Sequence, residues 1–227
     1  MTYGAKISIG INYWDDAEGL MRLLQSLPNI ITRIYIIDGA YPGRYEKPRY
    51  KDEMTMAIVH SMRNITYIKM NDAKQIDKRN KYWELAQKDG MEWLIVIDSD
   101  EYMEIDEPYM FSAYLLKMIE QFPKSRCFPI EGNNLGHFTA APRLFRAPFN
   151  YRHIQQKTNI SHGSLYDPDG KEIIDEMYIY YEYMRHKCNL PLDKACVPFI
   201  KIIHDKKYRD KKRIDADYLW YSDNPTR

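Results

Sequence analysis

The stretch that decides the fold is Trp93-Leu94-Ile95-Val96-Ile97-Asp98-Ser99-Asp100, an apolar run that ends in two carboxylates. A short continuous apolar run of this kind is typical of a buried strand. Residues two apart at a strand end point the same way, so Asp98 and Asp100 can reach one cation. The stretch therefore predicts a central strand with an acidic site at its carboxyl end.

Charge is unevenly distributed along the chain, although the net charge of its 227 residues is only +1. Residues 98–107 contain six carboxylates and no basic residue, whereas residues 201–213 contain seven basic and two acidic residues. A divalent metal that holds a phosphate-bearing substrate would neutralise the acidic cluster economically. The alternative interpretation is a solvated acidic loop before the next helix. The near-neutral total gives no reason to expect nucleic acid as a partner.

Strand and helix patterns alternate along the first hundred residues. The predicted strands are 6–13, 33–38, 65–70 and 93–97, and the predicted helices are 17–27, 53–62 and 77–88. This order predicts an α/β fold, in which helices flank a Rossmann-like, mostly parallel central sheet. Ligands of such sheets lie outside the carboxyl ends of the strands.

The pattern weakens after residue 108, where we expect helices at 109–121 and 178–183 and short strands at 126–130, 143–146 and 199–203. No linker is long enough to separate domains, so one domain over 1–227 is the prediction. Three cysteines without framework spacing indicate a reducing compartment. The apolar runs are far shorter than the ~20 residues that span a bilayer. These features predict a cytoplasmic protein.

The ordered segments resemble the nucleotide-binding half of GT-A-fold glycosyltransferases, most of all those of family 2. The resemblance covers about residues 5–105 and rests on KISIGINY (6–13), LQSL (24–27), IIDG (36–39), DKRN (77–80) and WLIVIDSDEY (93–102). It implies a UDP- or GDP-sugar donor, with Mn²⁺ or Mg²⁺ bound at a DxD motif formed by Asp98 and Asp100. Residues 1–107 would then bind the donor, and residues 108–227 would be an elaboration on the acceptor side.

The resemblance also implies roles for residues at the ends of the first two strands. Asn12, Tyr13 and Trp14 would flank the nucleobase, and Asp38 would hydrogen-bond the base or the ribose. The structural alternatives are that Tyr13 and Trp14 belong to the core or its rim and that Asp38 caps a turn. Residues 39–43 (GAYPG) depart from the Asp, Ser and Thr residues common in the family, which puts the identity of the base in doubt.

Two further donor-binding residues are implied by the same resemblance. Arg79 and Asn80 would lie near the ribose and the donor sugar, although they could equally form a solvated helix face. Asp98 would contact the ribose or the metal, and Asp100 would ligate the metal.

His204 is the candidate third metal ligand, because it follows an apolar run and opens the basic segment. Neutral imidazole suits Mn²⁺ alongside carboxylates. Lys206 and Arg209 would neutralise the diphosphate. The basic segment could instead be a solvated helix face or contact an anionic membrane surface peripherally.

These features predict a metal-dependent glycosyltransferase, of the hexosyl type and inverting, that transfers a sugar to an acceptor hydroxyl. An inverting transfer needs a general base, for which Asp175 and Glu176 are the candidates. A retaining enzyme would need no such base. One alternative function is a nucleotidyltransferase acting on a sugar phosphate. Another is a non-catalytic nucleotide- or carbohydrate-binding protein with the same fold.

Overall fold

The computed structural model describes residues 4–14, 16–39, 52–62, 64–71, 73–134, 137–150, 152–156, 159–173, 175–191 and 195–204. Within these residues the chain forms ten strands and five helices. The strands are β1 (Ile7–Tyr13), β2 (Ile31–Asp38), β3 (Ile65–Lys69), β4 (Trp93–Asp98), β5 (Glu101–Ile105), β6 (Cys127–Asn134), β7 (His137–Arg146), β8 (Arg152–Gln156), β9 (Asn159–Tyr166) and β10 (Ile200–His204). The helices are α1 (Ala17–Ser26), α2 (Asp52–His60), α3 (Gln75–Lys88), α4 (Pro108–Gln121) and α5 (Asp175–His186).

Eight of these strands form one mixed sheet in the order β3-β2-β1-β4-β7-β6-β10-β5, and β8 pairs with β9 separately. The pairs β1–β2, β1–β4, β2–β3 and β6–β10 are parallel. The pairs β4–β7, β6–β7 and β5–β10 are antiparallel. The carboxyl ends of β1, β2, β3, β4, β6 and β10 therefore share one edge of the sheet.

The sheet is curled, because β4 and β5 are far apart in the strand order but joined by only two residues, Ser99 and Asp100. Such a connection spans no more than about 10 Å. The β5 edge must therefore lie beside the carboxyl end of β4. Helix α1 packs into this corner, where Ser26 Oγ accepts a hydrogen bond of 3.2 Å from the Met103 N–H. A Cβ atom on Gly19 would lie 2.6 Å from the Ser99 carbonyl oxygen, so only glycine permits this approach.

Both faces of the sheet are buried, as expected for parallel strands covered by helices. On one face, Ile7, Ile9, Ile11 and Tyr13 of β1 pack in a core with residues of α1, α2 and α4. On the other face the core includes strand residues and Tyr82 and Trp83 of α3. Asp16 fixes the start of α1, where its Oδ1 accepts a hydrogen bond from the Gly19 N–H at 3.3 Å.

The predicted α/β class is confirmed, and the sheet is compatible with the predicted Rossmann-like arrangement of helices around a central, largely parallel sheet. No strand was predicted at residues 101–105, where Glu104 was expected at the solvated entry to the next helix and is indeed exposed. They form β5, which buries Met103 and pairs with β10. Strands β8 and β9 were also not predicted.

The described helices are short compared with the thickness of a bilayer. The longest, α3 and α4, contain 14 residues each. Within the described residues, no helix combines the length and the apolar composition that a membrane crossing requires.

Gly10 is the position at which α3 approaches the sheet most closely. A Cβ atom there would lie 2.7 Å from Cγ of Tyr82, whose side chain is fully buried. We predict that Gly10→Ala lowers the free energy of unfolding by about 1–3 kcal/mol, because the ring must move within a packed core. Urea denaturation measures the loss, with Gly4→Ala as control, since that Cβ would meet only Ser112 Oγ at 3.6 Å. An unchanged or higher stability would contradict the packing described.

Candidate functional site

The carboxyl ends of β4 and β10 meet at a direct contact between Asp100 and His204. The distance from His204 Nε2 to Asp100 Oδ2 is 2.5 Å, although 104 residues separate them in sequence. The Asp100 side chain is 6% exposed and that of His204 is 21% exposed. A carboxylate and an imidazole are thus fixed together at the edge of the sheet where a ligand is expected.

The register of the last two strands explains this contact. Antiparallel pairing of β5 with β10 places His204 opposite Glu101, one residue beyond Asp100. The curl of the sheet brings this pair of strands to the end of β4. The prediction that the two charged segments meet is therefore correct for His204, while Lys206 and Arg209 lie outside the described residues.

Asp98, Glu101 and Arg143 form a second polar group beside this contact. Glu101 Oε2 accepts a hydrogen bond of 2.8 Å from the Asp98 N–H, which closes the turn between β4 and β5. The Arg143 guanidinium donates to Glu101 Oε1 at 2.8 Å. Its other end lies 3.9 Å from Asp98 Oδ2 and 3.4 Å from the Val96 carbonyl oxygen. Asp98 is the most exposed of the three, with 34% of its side chain accessible.

Glu101 is the most strongly perturbed acid at this edge. Burial raises its pKa to about 7, and the neighbouring Asp98 and Asp100 carboxylates act in the same direction. The Arg143 charge and the hydrogen bond from the Asp98 backbone oppose these effects. The Arg143 charge therefore offsets part of the cost of burying the Glu101 carboxylate.

The residues at the end of β1 differ in how far they can contact a ligand. Tyr13 is a core residue, 1% exposed, whose hydroxyl lies 2.5 Å from Thr55 Oγ1. The expected base-flanking role of Tyr13 is thus not supported, because both faces of its ring are packed. Trp14 is half-buried at the rim. Asn12 is buried, and within the described residues neither its side-chain nitrogen nor its oxygen has a hydrogen-bond partner.

Asp38 is fully buried and its carboxylate accepts a hydrogen bond from the Tyr67 hydroxyl. In this arrangement it links the ends of β2 and β3, and its implied role towards the base or the ribose stays a prediction. Arg79 is 9% exposed and Asn80 is half-buried, so neither belongs to a solvated helix face.

Lys78 is a polar residue at this edge that sequence reasoning missed. The residue is 1% exposed, and its ammonium donates to the carbonyl oxygens of Tyr13 and Gly39, at 3.2 and 2.6 Å. It therefore ties the ends of β1 and β2 together. The charged run around it gave no sign that Lys78 turns inward.

The candidate general base Glu176 lies at the opposite edge of the sheet. It is 1% exposed and forms an ion pair with Arg126, at 2.7 Å, directly before β6 begins. His204 pairs with Asn134 at the other end of β6, eight residues away, or about 25 Å. Glu176 is therefore too far from the Asp100–His204 contact to act there as a general base. Asp175 precedes Glu176 as the first residue of α5, so its backbone also lies near that opposite edge of the sheet.

The donor set at the site suits a divalent cation with few protein ligands. Within the described residues, no three His, Cys, Asp or Glu side chains form a ready-made metal site. Mg²⁺ usually takes only one or two carboxylates, and phosphate and water oxygens complete its coordination. Asp100 and His204 fit this pattern, and Asp98, beside them and partly exposed, fits as a further oxygen donor. Bound metal would require the Asp100–His204 atoms to separate to about 3 Å, since each bond to Mg²⁺ is 2.0–2.1 Å long.

Comparisons with known proteins add little beyond the fold. No protein-family model and no curated protein matches the chain. Among solved structures, it is similar to the crystal structure of 4-diphosphocytidyl-2C-methyl-D-erythritol synthase from Anaerococcus prevotii. The identity is 12%, the match covers 96% of this chain and 97% of that one, and the TM-score is 0.39. A similarity at that level supports no conclusion about this chain.

The Arg126–Glu176 pair allows a prediction about stability and pH. Burial raises the pKa of Glu176, but the hydrogen bonds from Arg126 outweigh this effect and hold the pKa below its ordinary value of 4.5. A carboxyl with a lowered pKa stabilises the fold above that ordinary value, and the contribution is lost as pH falls further. We predict that Glu176→Gln costs about 3 kcal/mol at pH 7, and less below pH 4.5.

Urea denaturation as a function of pH measures this difference. Glu182→Gln is the matched control on the same helix, because the pairs of Glu182 with Arg185 and His186 are exposed. Equal losses for the two variants at pH 7 would contradict the structural role of Glu176.

Proposed function

We propose that this protein is a metal-dependent transferase that acts on a nucleotide diphosphate, and specifically a glycosyltransferase that uses a nucleotide-sugar donor. The observation that carries the proposal is the contact between Asp100 and His204 at the carboxyl edge of an α/β sheet. Residues from two distant segments of the chain meet there. The resemblance of residues 5–105 to GT-A glycosyltransferases supports sugar transfer as the reaction.

In this proposal, each residue at the edge has a limited task. Asp100 and His204 would hold the metal, and Asp98, which is partly exposed, would add an oxygen to the metal or to the ribose. The metal would stabilise negative charge on the departing diphosphate. Trp14, Arg79 and Asn80 remain the candidates for binding the nucleoside and the sugar, and the catalytic base is unassigned.

The strongest competing function is nucleotidyl transfer to a sugar phosphate. The similar synthase bears the name of a diphosphocytidyl product, which corresponds to this alternative more closely than to sugar transfer. Such an enzyme needs basic residues and free N–H groups after the first strand to hold a triphosphate. Here the carboxylate of Asp16 already caps α1, and a helix N-terminus occupied by a carboxylate repels phosphate. This observation favours sugar transfer.

Binding of UDP and GDP with and without Mn²⁺, measured by calorimetry, tests the metal clamp. We expect metal-dependent binding that weakens roughly 10- to 100-fold or more in Asp100→Ala and in His204→Gln, because a ligand is lost in each. Glu104→Gln is the control, since Glu104 lies in the same acidic segment but is exposed. Equally tight binding without Mn²⁺ would contradict the clamp.

Two assays on the same protein separate the competing functions. We expect slow hydrolysis of at least one UDP- or GDP-hexose in the presence of Mn²⁺ and its loss in Asp100→Ala. Release of pyrophosphate from CTP or UTP with a hexose 1-phosphate would instead establish nucleotidyl transfer. Metal-dependent binding with neither reaction, across a panel of common donors, would favour the non-catalytic binding protein.

A further inference from the structure

Two adjacent carboxylates, Asp100 and Glu101, have separate partners at the site. Asp100 contacts His204 at 2.5 Å, and Glu101 contacts Arg143 at 2.8 Å. Both carboxylates are nearly inaccessible, with side-chain exposures of 6% and 7%. The pairing therefore determines which of the two carboxylates contacts the His204 imidazole.

His204 has two carboxylates within reach. In the β5–β10 register, Glu101 is the residue directly opposite His204. Side chains directly opposite each other in an antiparallel pair point to the same face, with Cβ atoms about 5 Å apart. Glu101 could therefore pair with His204 if nothing else held it.

Arg143 holds Glu101 away from the imidazole. It reaches across from β7, where the residues beside it pair with β4, and its guanidinium spans the Val96 carbonyl, Asp98 and Glu101. The planar fork of arginine suits several acceptors at once. The second oxygen of Glu101 accepts the Asp98 N–H at 2.8 Å, so the same contact also closes the turn that carries Asp98 and Asp100.

We propose that Arg143 is a positioning residue that, by binding Glu101, reserves Asp100 and His204 for the metal. The metal part of this inference rests on the proposed function, whereas the pairing of the four side chains does not. Without Arg143, Glu101 lies beside Asp98 and Asp100 with its guanidinium partner gone. It then turns to His204, disrupts the contact with Asp100, and competes for the metal position.

The test compares Arg143→Met, Glu101→Gln and the double variant with the unmodified protein. Arg146→Met is the matched control, because Arg146 lies on the same strand but donates to the carbonyl oxygens of Phe122 and Pro123. The first measurement is the NMR signals of the His204 ring in the metal-free proteins. The second is the affinity for Mn²⁺ alone, by calorimetry.

We expect Arg143→Met to shift the His204 signals and to weaken Mn²⁺ binding roughly 10- to 100-fold, the range found for residues that orient metal ligands. Adding Glu101→Gln should restore both readouts, because the competing carboxylate is gone. Arg146→Met should leave both unchanged.

Unchanged His204 signals in Arg143→Met would overturn the inference, as would a double variant impaired as much as Arg143→Met. If Arg143→Met does not fold, Arg143→Lys is the deciding variant, because it keeps the charge but loses the planar guanidinium. A shift of the His204 signals in Arg143→Lys supports the inference, and unchanged signals overturn it. If the unmodified protein binds no Mn²⁺, the proposed function fails, and the metal-free His204 signals still decide the pairing.

Discussion

The two-residue connection between β4 and β5 is the constraint on which the rest of the structure depends. Strand β4 lies in the middle of the sheet and β5 at its edge, yet Ser99 and Asp100 alone join them. The sheet must curl to satisfy this connection, and the curl carries β10 to the end of β4. The Asp100–His204 contact is thus a consequence of topology, and it links the two most highly charged segments of the chain.

The acidic cluster is not uniform once it is folded. Asp100 faces an imidazole, and Glu101 faces a guanidinium and a backbone N–H, while Asp98 is partly open to solvent. Residues 104, 106 and 107, the remaining carboxylates, are exposed. In the folded protein, the buried carboxylates of this segment each have their own partner, and the exposed ones are solvated. Both arrangements reduce the cost of placing six carboxylates close together.

Much of the first half of the fold could be predicted from local patterns. Strands β1, β2 and β4 carry buried apolar runs that can be recognised without knowledge of their neighbours, and β3 has an alternating, half-buried pattern. Asp16 lies at the start of α1, and Pro28 follows its end. Strand β5 could not be predicted, because its five residues include two glutamates and its partner lies about a hundred residues away. Its pairing is a long-range property that no local window contains.

The three side chains at the candidate site could be predicted from the sequence, but the residues that support them could not. Asp98, Asp100 and His204 each follow an apolar strand, which is a local signal. Tyr13 and Asp38 occupy similar strand ends, but both point into the core, and only the packing of α2 and β3 reveals this. Arg143 and Lys78 carry no local signal either, because their roles depend on strand register and on the docking of α3.

The central claim, that Asp100 and His204 form one metal position, is tested most directly by a crystal structure with Mn²⁺ and UDP. The account predicts an anomalous manganese peak bonded to an Asp100 carboxylate oxygen and to His204 Nε2, with diphosphate oxygens completing the coordination. A peak bonded to neither residue, or a nucleotide bound away from the carboxyl edge of the sheet, would contradict it.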